Sequence, residues 1–140
     1  LAPTANEVQP VIYAKAYAAA LLVFLALDAV WLGLVARDFY ATQLGGLLRE
    51  NVNYLAAGGF YLAYVAGVVY FAVTPALADG GWTRAALSGA LLGLLAYGTY
   101  DMTNIATLKG WPLTMSLVDI VWGGVVTAAA AVAGYAAGRL

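Results

Sequence analysis

The sequence predicts an all-α membrane protein: a four-transmembrane-helix bundle with a short interfacial helix between helices one and two. Three observations predict it. Hydrophobic residues make up 64% of the 140-residue chain and charged residues 9%, against about 45–50% and 25% in a soluble globular domain. Six Lys or Arg and seven Asp or Glu cannot furnish the charged shell that water requires. The apolar residues also gather into four long runs with short polar breaks, each near the ~20 residues a helix needs to cross the hydrocarbon core.

The first span covers about 12–35, with Pro10 expected at the helix start and Arg37-Asp38 at its close. It is too long for the apolar region of a signal peptide and carries an acid inside, so no cleavage is expected. The segment of about 38–50 places Tyr40, Leu44, Leu47 and Leu48 on an i, i+4, i+7, i+8 stripe, the pattern of a helix lying in the interface. It reads either as an amphipathic connector or as a lid over what lies beneath. The second span, about 54–77, ends at Pro75 and the turn Asp79-Gly80-Gly81. The third, about 83–108, stops at Lys109-Gly110-Trp111-Pro112, and the fourth covers about 113–137. Tight turns join the last three spans, which makes consecutive ones antiparallel neighbours.

Four spans use nearly all of the sequence, so a single transmembrane domain over 1–140 is expected, with both termini on one side. Lys15, Arg84 and Arg139 fall on the terminal side, and Arg37, Arg49 and Lys109 on the other. The positive-inside comparison therefore ties. Small residues mark where helices touch: Gly59, Ala63 and Gly67 on span two, Gly89 and Gly93 on span three, Ala130, Gly134 and Gly138 on span four.

Cys and His are both absent, which excludes disulfides, thiol or imidazole catalytic pairs, zinc sites of the usual kind and imidazole-ligated haem. A net charge of −1 with no basic cluster excludes nucleic acid as a partner. No cofactor is expected. The partners that remain are membrane lipids, a hydrophobic ligand, a second copy of the chain, or a subunit of a larger membrane complex.

Chemistry rests on three acids inside the spans: Asp28, Asp101 and Asp119. Each costs at least ~2.5 kcal/mol to place in a membrane. Asp28 lies nine residues before Arg37, Asp101 eight before Lys109, and Asp119 ten after Lys109. At ~1.5 Å per residue all three sit roughly 12–15 Å below the same interface, in one layer. Trp31, Asn104 and Trp122 each follow an acid by three residues, one turn away on the same face, positioned to orient its carboxyl. Tyr97 shares the face of Asp101, and Tyr61 and Tyr64 of span two reach a similar depth. The acids are therefore expected to point inward and approach one another near Tyr61 or Tyr64.

No Lys or Arg lies in that layer. Three ionised carboxylates in low dielectric repel, so a proton or a cation must be present, and carboxyl, amide and phenol ligands suit a hard cation such as Mg²⁺, Ca²⁺ or Na⁺. The plain alternative is a network of neutral acids holding helices together. The segments Asp28-Ala29-Val30-Trp31-Leu32-Gly33 and Asp119-Ile120-Val121-Trp122-Gly123-Gly124 echo one another, but on helices of opposite direction, so the echo is a recurrent local solution rather than a duplication.

The string YGTYDMTNIATLKGWP (residues 97–112), with the two Asp-x-x-Trp runs, resembles the bacterial membrane family catalogued as domain of unknown function 2177, over roughly Tyr17 to Tyr135. The resemblance implies a compact bacterial inner-membrane protein with four helices, and carries over no activity or catalytic residue.

Three functional readings follow. In the first, a cavity walled by Phe60, Tyr61, Tyr64, Trp31 and Trp122 binds, or binds and modifies, a lipid-like or other hydrophobic molecule, with Asp28, Asp101 and Asp119 as polar contacts or proton donors. In the second, the acids carry protons or cations in transport, although all three occupy one half of the membrane. In the third, the bundle is an accessory or assembly subunit docked through its small-residue stripes.

Overall fold

The computed structural model describes residues 5–140. Among these residues every regular element is helical. Helix α1 (Ala5–Val30) runs on through a π-helical turn, Trp31–Val35. Pro10 lies inside α1 rather than opening it. It is early enough in the helix that the lost N–H deprives only the carbonyl of Asn6, and the helix continues. The π turn closes when the Ala36 N–H donates to the carbonyl of Trp31 at 2.7 Å, and α2 (Arg37–Leu44) leaves in a new direction.

The stripe expected over about 38–50 is cut short. Gly45, at φ 55°, ends α2, and a single 3₁₀ turn follows at Gly45–Leu47. Tyr40 and Leu44 are half-buried, whereas Leu47 and Leu48 are exposed.

Asn53 caps the next helix, its side chain accepting from the Ala56 N–H at 3.1 Å. Helix α3 (Tyr54–Val68) passes through a second π turn, Val69–Val73, into α4 (Thr74–Ala78). Pro75 stands near the start of α4 and has no N–H to give to the preceding turn. The widened turn accommodates it, and the Thr74 hydroxyl donates to the Val69 carbonyl at 2.9 Å. After Gly80 and Gly81, both at positive φ, come α5 (Gly81–Thr107) and α6 (Leu113–Gly138).

Three helical stretches are long and apolar enough to cross a membrane: Gln9–Val35, Tyr54–Ala78 and Leu113–Gly138. Helix α5 has the length but is less apolar. Its exposed Thr99, Thr103 and Thr107 return their hydroxyls to the carbonyls of Leu95, Thr99 and Thr103, which leaves that polar stripe without an unpaired donor.

Helix α6 is the hub, with its most extensive contact to α5 and the next to α1. It runs antiparallel to α1: Gly138 meets Ile12, Gly134 meets Ala16 and Ala20, and Lys15 Nζ donates to the Leu140 carbonyl at 3.2 Å. The core fills the half of the molecule nearest these ends, with Ala16, Ala20 and Phe24 of α1 against Val65, Val68, Ala72, Val73, Val126 and Ala130. The outer surface is apolar too, with Leu22, Leu55, Leu87 and Val121 exposed. Lipid rather than water suits such an exterior.

Small residues set the helix spacing at α6. A Cβ on Gly93 would overlap the Gly123 carbonyl, one on Gly123 would overlap the Tyr97 ring, and one on Gly89 would come within 2.8 Å of Ala131 Cβ. Gly134 and Gly138 likewise face side chains at 3.0 Å. The stripe expected on span two does not pack: a Cβ on Gly59 or Gly67 meets nothing within 4 Å, and Ala63 is exposed. Those residues share one face, and that face turns outward. Gly93→Ala is accordingly expected to lower stability by about 1–3 kcal/mol, the usual cost of overpacking, while Gly59→Ala is silent or slightly stabilising. Thermal unfolding in detergent, followed by circular dichroism, reads both.

Candidate functional site: an intramembrane carboxyl–aromatic cavity

The half of the molecule beyond the small-residue core is built differently. Here α1 and α6 bring their Asp-x-x-Trp runs together, and the two indoles stack, Trp31 on Trp122, with centroids 4.5 Å apart and planes within 7°. Stacking places each Trp beyond its own acid and next to the other helix. Trp122 Nε1–H donates to Asp28 Oδ1 at 3.2 Å, and Trp31 Nε1–H donates to the Tyr40 hydroxyl at 3.2 Å, which in turn donates to Asp119 Oδ1 at 2.8 Å. The exchange is reciprocal: the indole of α6 serves the acid of α1, and the indole of α1 serves the acid of α6 through a phenol. An antiparallel pair bearing the same short run meets in this way, which gives the sequence echo a physical cause. The expected pairing of each acid with the residue three positions later is therefore corrected. The i+3 indole leaves its own acid because the facing helix offers a stacking partner.

Asp28, 5% exposed, is satisfied on both oxygens, since the Tyr61 hydroxyl donates to Oδ2 at 2.7 Å. Tyr64 does not reach the acids. Its hydroxyl pairs with Thr127 Oγ1 at 2.8 Å. Asn104 is half-buried, and no hydrogen bond joins its side chain to Asp101 among the described residues. Tyr40 is the residue that sequence reasoning missed. It was read only as part of an apolar stripe, yet its position just past the span, on the face of α2 that meets the bundle, was the available signal. Burial, with the Asp119 charge adding to it, pushes the Tyr40 phenol above its ordinary value, so it stays an O–H donor throughout the physiological pH range.

Asp101 is fully buried and neither of its oxygens has a hydrogen-bond partner. Asp119 and the Trp111 indole are among its neighbours, and the Trp111 N–H is itself buried and unpaired. The three acids thus do not meet at one point. Asp101 and Asp119 lie together, and Asp28 stands apart with its own donors. Among the described residues no group of three or more acidic side chains is arranged to hold a metal ion.

Between the two carboxyl positions opens a cavity of about 370 Å³. Asp28, Asp119 and Trp122 form its polar side, and Phe24, Leu32, Phe60, Tyr61, Tyr64, Ala96, Tyr97 and Tyr100 the remainder. Edge-on contacts hold these rings: Phe24 to Tyr61 at 5.3 Å and Tyr64 to Tyr97 at 6.4 Å. Trp31, expected in the wall, backs Trp122 from outside it, and Asp101 is likewise not in the lining. The cavity is therefore lined by two carboxyl-bearing residues among mostly aromatic ones, an arrangement suited to an apolar body carrying a hydrogen-bond donor.

Two carboxyl groups side by side in low dielectric repel when both are ionised, so in buffer free of divalent cations the pair is expected to keep a proton. An infrared band of a protonated carboxyl is expected at neutral pH, lost in Asp101→Asn or Asp119→Asn and retained in Asp28→Asn. A band that disappears with Asp28→Asn alone contradicts the assignment. Tyr40→Phe, which removes the donor to Asp119, is expected to cost about 1 kcal/mol and to speed amide hydrogen exchange over residues 37–47.

No curated relative and no solved structure matches the chain. A family model does, over residues 13–136, in agreement with the resemblance carried by the residue 97–112 string and the two Asp-x-x-Trp runs. The chain belongs to the family described as Predicted membrane protein (DUF2177).

Proposed function

We propose that the protein is a four-span bundle of the bacterial inner membrane that binds a lipid-like or other hydrophobic small molecule in the carboxyl–aromatic cavity. The observation that carries this reading is the cavity itself. Its ~370 Å³ lies in the range of small-molecule sites, about 300–1,000 Å³, and it opens among carboxyl groups that a purely structural network would have packed shut. Asp28 and Asp119 serve as polar contacts for the guest, and the rings of Phe24, Phe60, Tyr64 and Tyr97 cover its apolar body.

Helix α5 completes the bundle as a fourth span, its threonine hydroxyls bonded back to its own carbonyls. Helix α2 lies in the interface, pinned by Tyr40. The pairing of Lys15 with Leu140 supports both termini on one side, and the shared core supports reading the chain as a single domain. An accessory-subunit role would draw support from a dry, fully bonded acid layer, and transport from a polar path through the other half of the molecule. That other half is filled by the small-residue core.

Ala96, in the cavity wall, gives the test. Ala96→Phe is expected to lower occupancy by a co-purifying guest at least about tenfold, because overpacking costs about 1–3 kcal/mol, while Asp101→Asn, outside the wall, leaves occupancy unchanged. Native mass spectrometry of protein released from its own membrane reads both. A wild-type protein that carries no guest, or an Ala96→Phe variant that carries it fully, overturns the reading.

A further inference from the structure

A second depression, a groove of about 920 Å³, runs between α1 and α3 on the side of the acid layer. Leu25, Leu32, Val52 and Ala57 give it apolar walls. Gly33 and Gly58 widen it, for a Cβ on either would meet nothing within 4 Å. Two features separate this groove from an ordinary furrow between lipid-facing helices. Its one cationic group is Arg37, placed where α1 gives way to α2, exposed, and without an ion-pair partner among the described residues. Its inner end is formed by Asp28, Leu32 and Tyr61, which also line the aromatic cavity. The Asp28–Tyr61 hydrogen bond, 2.7 Å, thus lies in the wall that groove and cavity share. Arg37 stands nine residues from Asp28, roughly 13 Å along the helix.

We propose that the groove seats an anionic phospholipid of the surrounding bilayer, its phosphate on Arg37 and one acyl chain running past Leu32 to the Asp28–Tyr61 bond, where groove and cavity share a wall. This rests on the reading of the cavity as a site for a lipid-like guest and names the chemistry of that guest. A guanidinium fork matches phosphate oxygens in pairs, and it sits at the end of the first span, where head groups lie. Apart from the Tyr54 phenol, the lining between Arg37 and the Asp28–Tyr61 bond is apolar, as an acyl chain requires. Both oxygens of Asp28 already accept hydrogen bonds, so the chain meets no unpaired acceptor on arrival.

The test uses the whole protein in phosphatidylcholine nanodiscs, with Trp82→Phe and Trp111→Phe so that only the stacked Trp31 and Trp122 fluoresce. The probes are phosphatidylglycerol and phosphatidylcholine brominated in the acyl chain. Brominated phosphatidylglycerol is expected to quench the pair at a mole fraction about fivefold lower than brominated phosphatidylcholine, the preference one basic residue at the surface supplies. Arg37→Gln removes the difference and Arg49→Gln, a cation of the same connection outside the groove, retains it. Helicity by circular dichroism confirms that each variant is folded. Ala96→Phe separates the two readings: a retained preference with the guest excluded from the cavity shows the groove acting by itself, even if the cavity reading has failed. Equal quenching by the two lipids, or a preference indifferent to Arg37→Gln, overturns the proposal. Quenching by neither, with a dimer in the mass spectrum, assigns the groove to a second copy of the chain and overturns it as well.

Discussion

A carboxyl group inside a membrane must find its hydrogen-bond donors on neighbouring helices, because lipid supplies none. That constraint organises the outer half of this protein. Asp28 draws an indole from α6 and a phenol from α3. Asp119 draws a phenol from α2 that is itself held by an indole of α1. The bonds to the acids themselves join residues 33 to 94 apart in the chain, so the acids act as crosslinks among α1, α2, α3 and α6. The stacked indoles fix the depth at which α1 and α6 meet, and the position of α2 follows from Tyr40.

The two halves of the molecule solve helix association by different means. Toward the chain ends, Gly89, Gly93 and Gly134 let backbones approach until no further atom fits, and the contacts are those of dispersion and close packing. Toward α2, large rings replace small residues and are propped edge to face. Rings of that size, held by their hydroxyls, leave space between them where alanine and glycine would have closed it. The cavity is thus a product of residue size as much as of the acids. The tight α5–α6 crossing keeps one wall rigid, while α1 and α3 touch far less and diverge where the groove lies.

Much of this was legible in the residues. Hydropathy placed every long helix to within a few residues, apart from the start of α1, where Pro10 reads as a boundary although a proline in the early turns is tolerated. Counting from charged ends put the three acids at one depth, and Asp28 and Asp119 do share a cavity. Partner choice was not legible. Periodicity gives the face and height of a side chain but not the identity of the helix opposite, so Trp31 and Trp122 were assigned to their own acids and Asp101 to Asn104. The same limit hid the orientation of α3, whose Gly59, Ala63 and Gly67 make a regular stripe with no partner. Tyr40 escaped because an amphipathic stripe counts a tyrosine as apolar and ignores its hydroxyl.

The π-helical turn at Trp31–Val35 has an effect beyond its own length. A π turn holds one residue more than an α turn, so the residue that closes it is rotated by about 100° from where an uninterrupted helix would carry it. The chain then bends at Ala36, at φ −112° and ψ 8°, and offset and bend together set the bearing of Arg37 over the groove and of Tyr40 toward Asp119. Residues 31–35 therefore act as a phase adjuster between the span and its connection. A relative with one residue fewer there would regain a regular helix at little cost to folding, yet would point a different side chain at the lipid surface and another at the acid below.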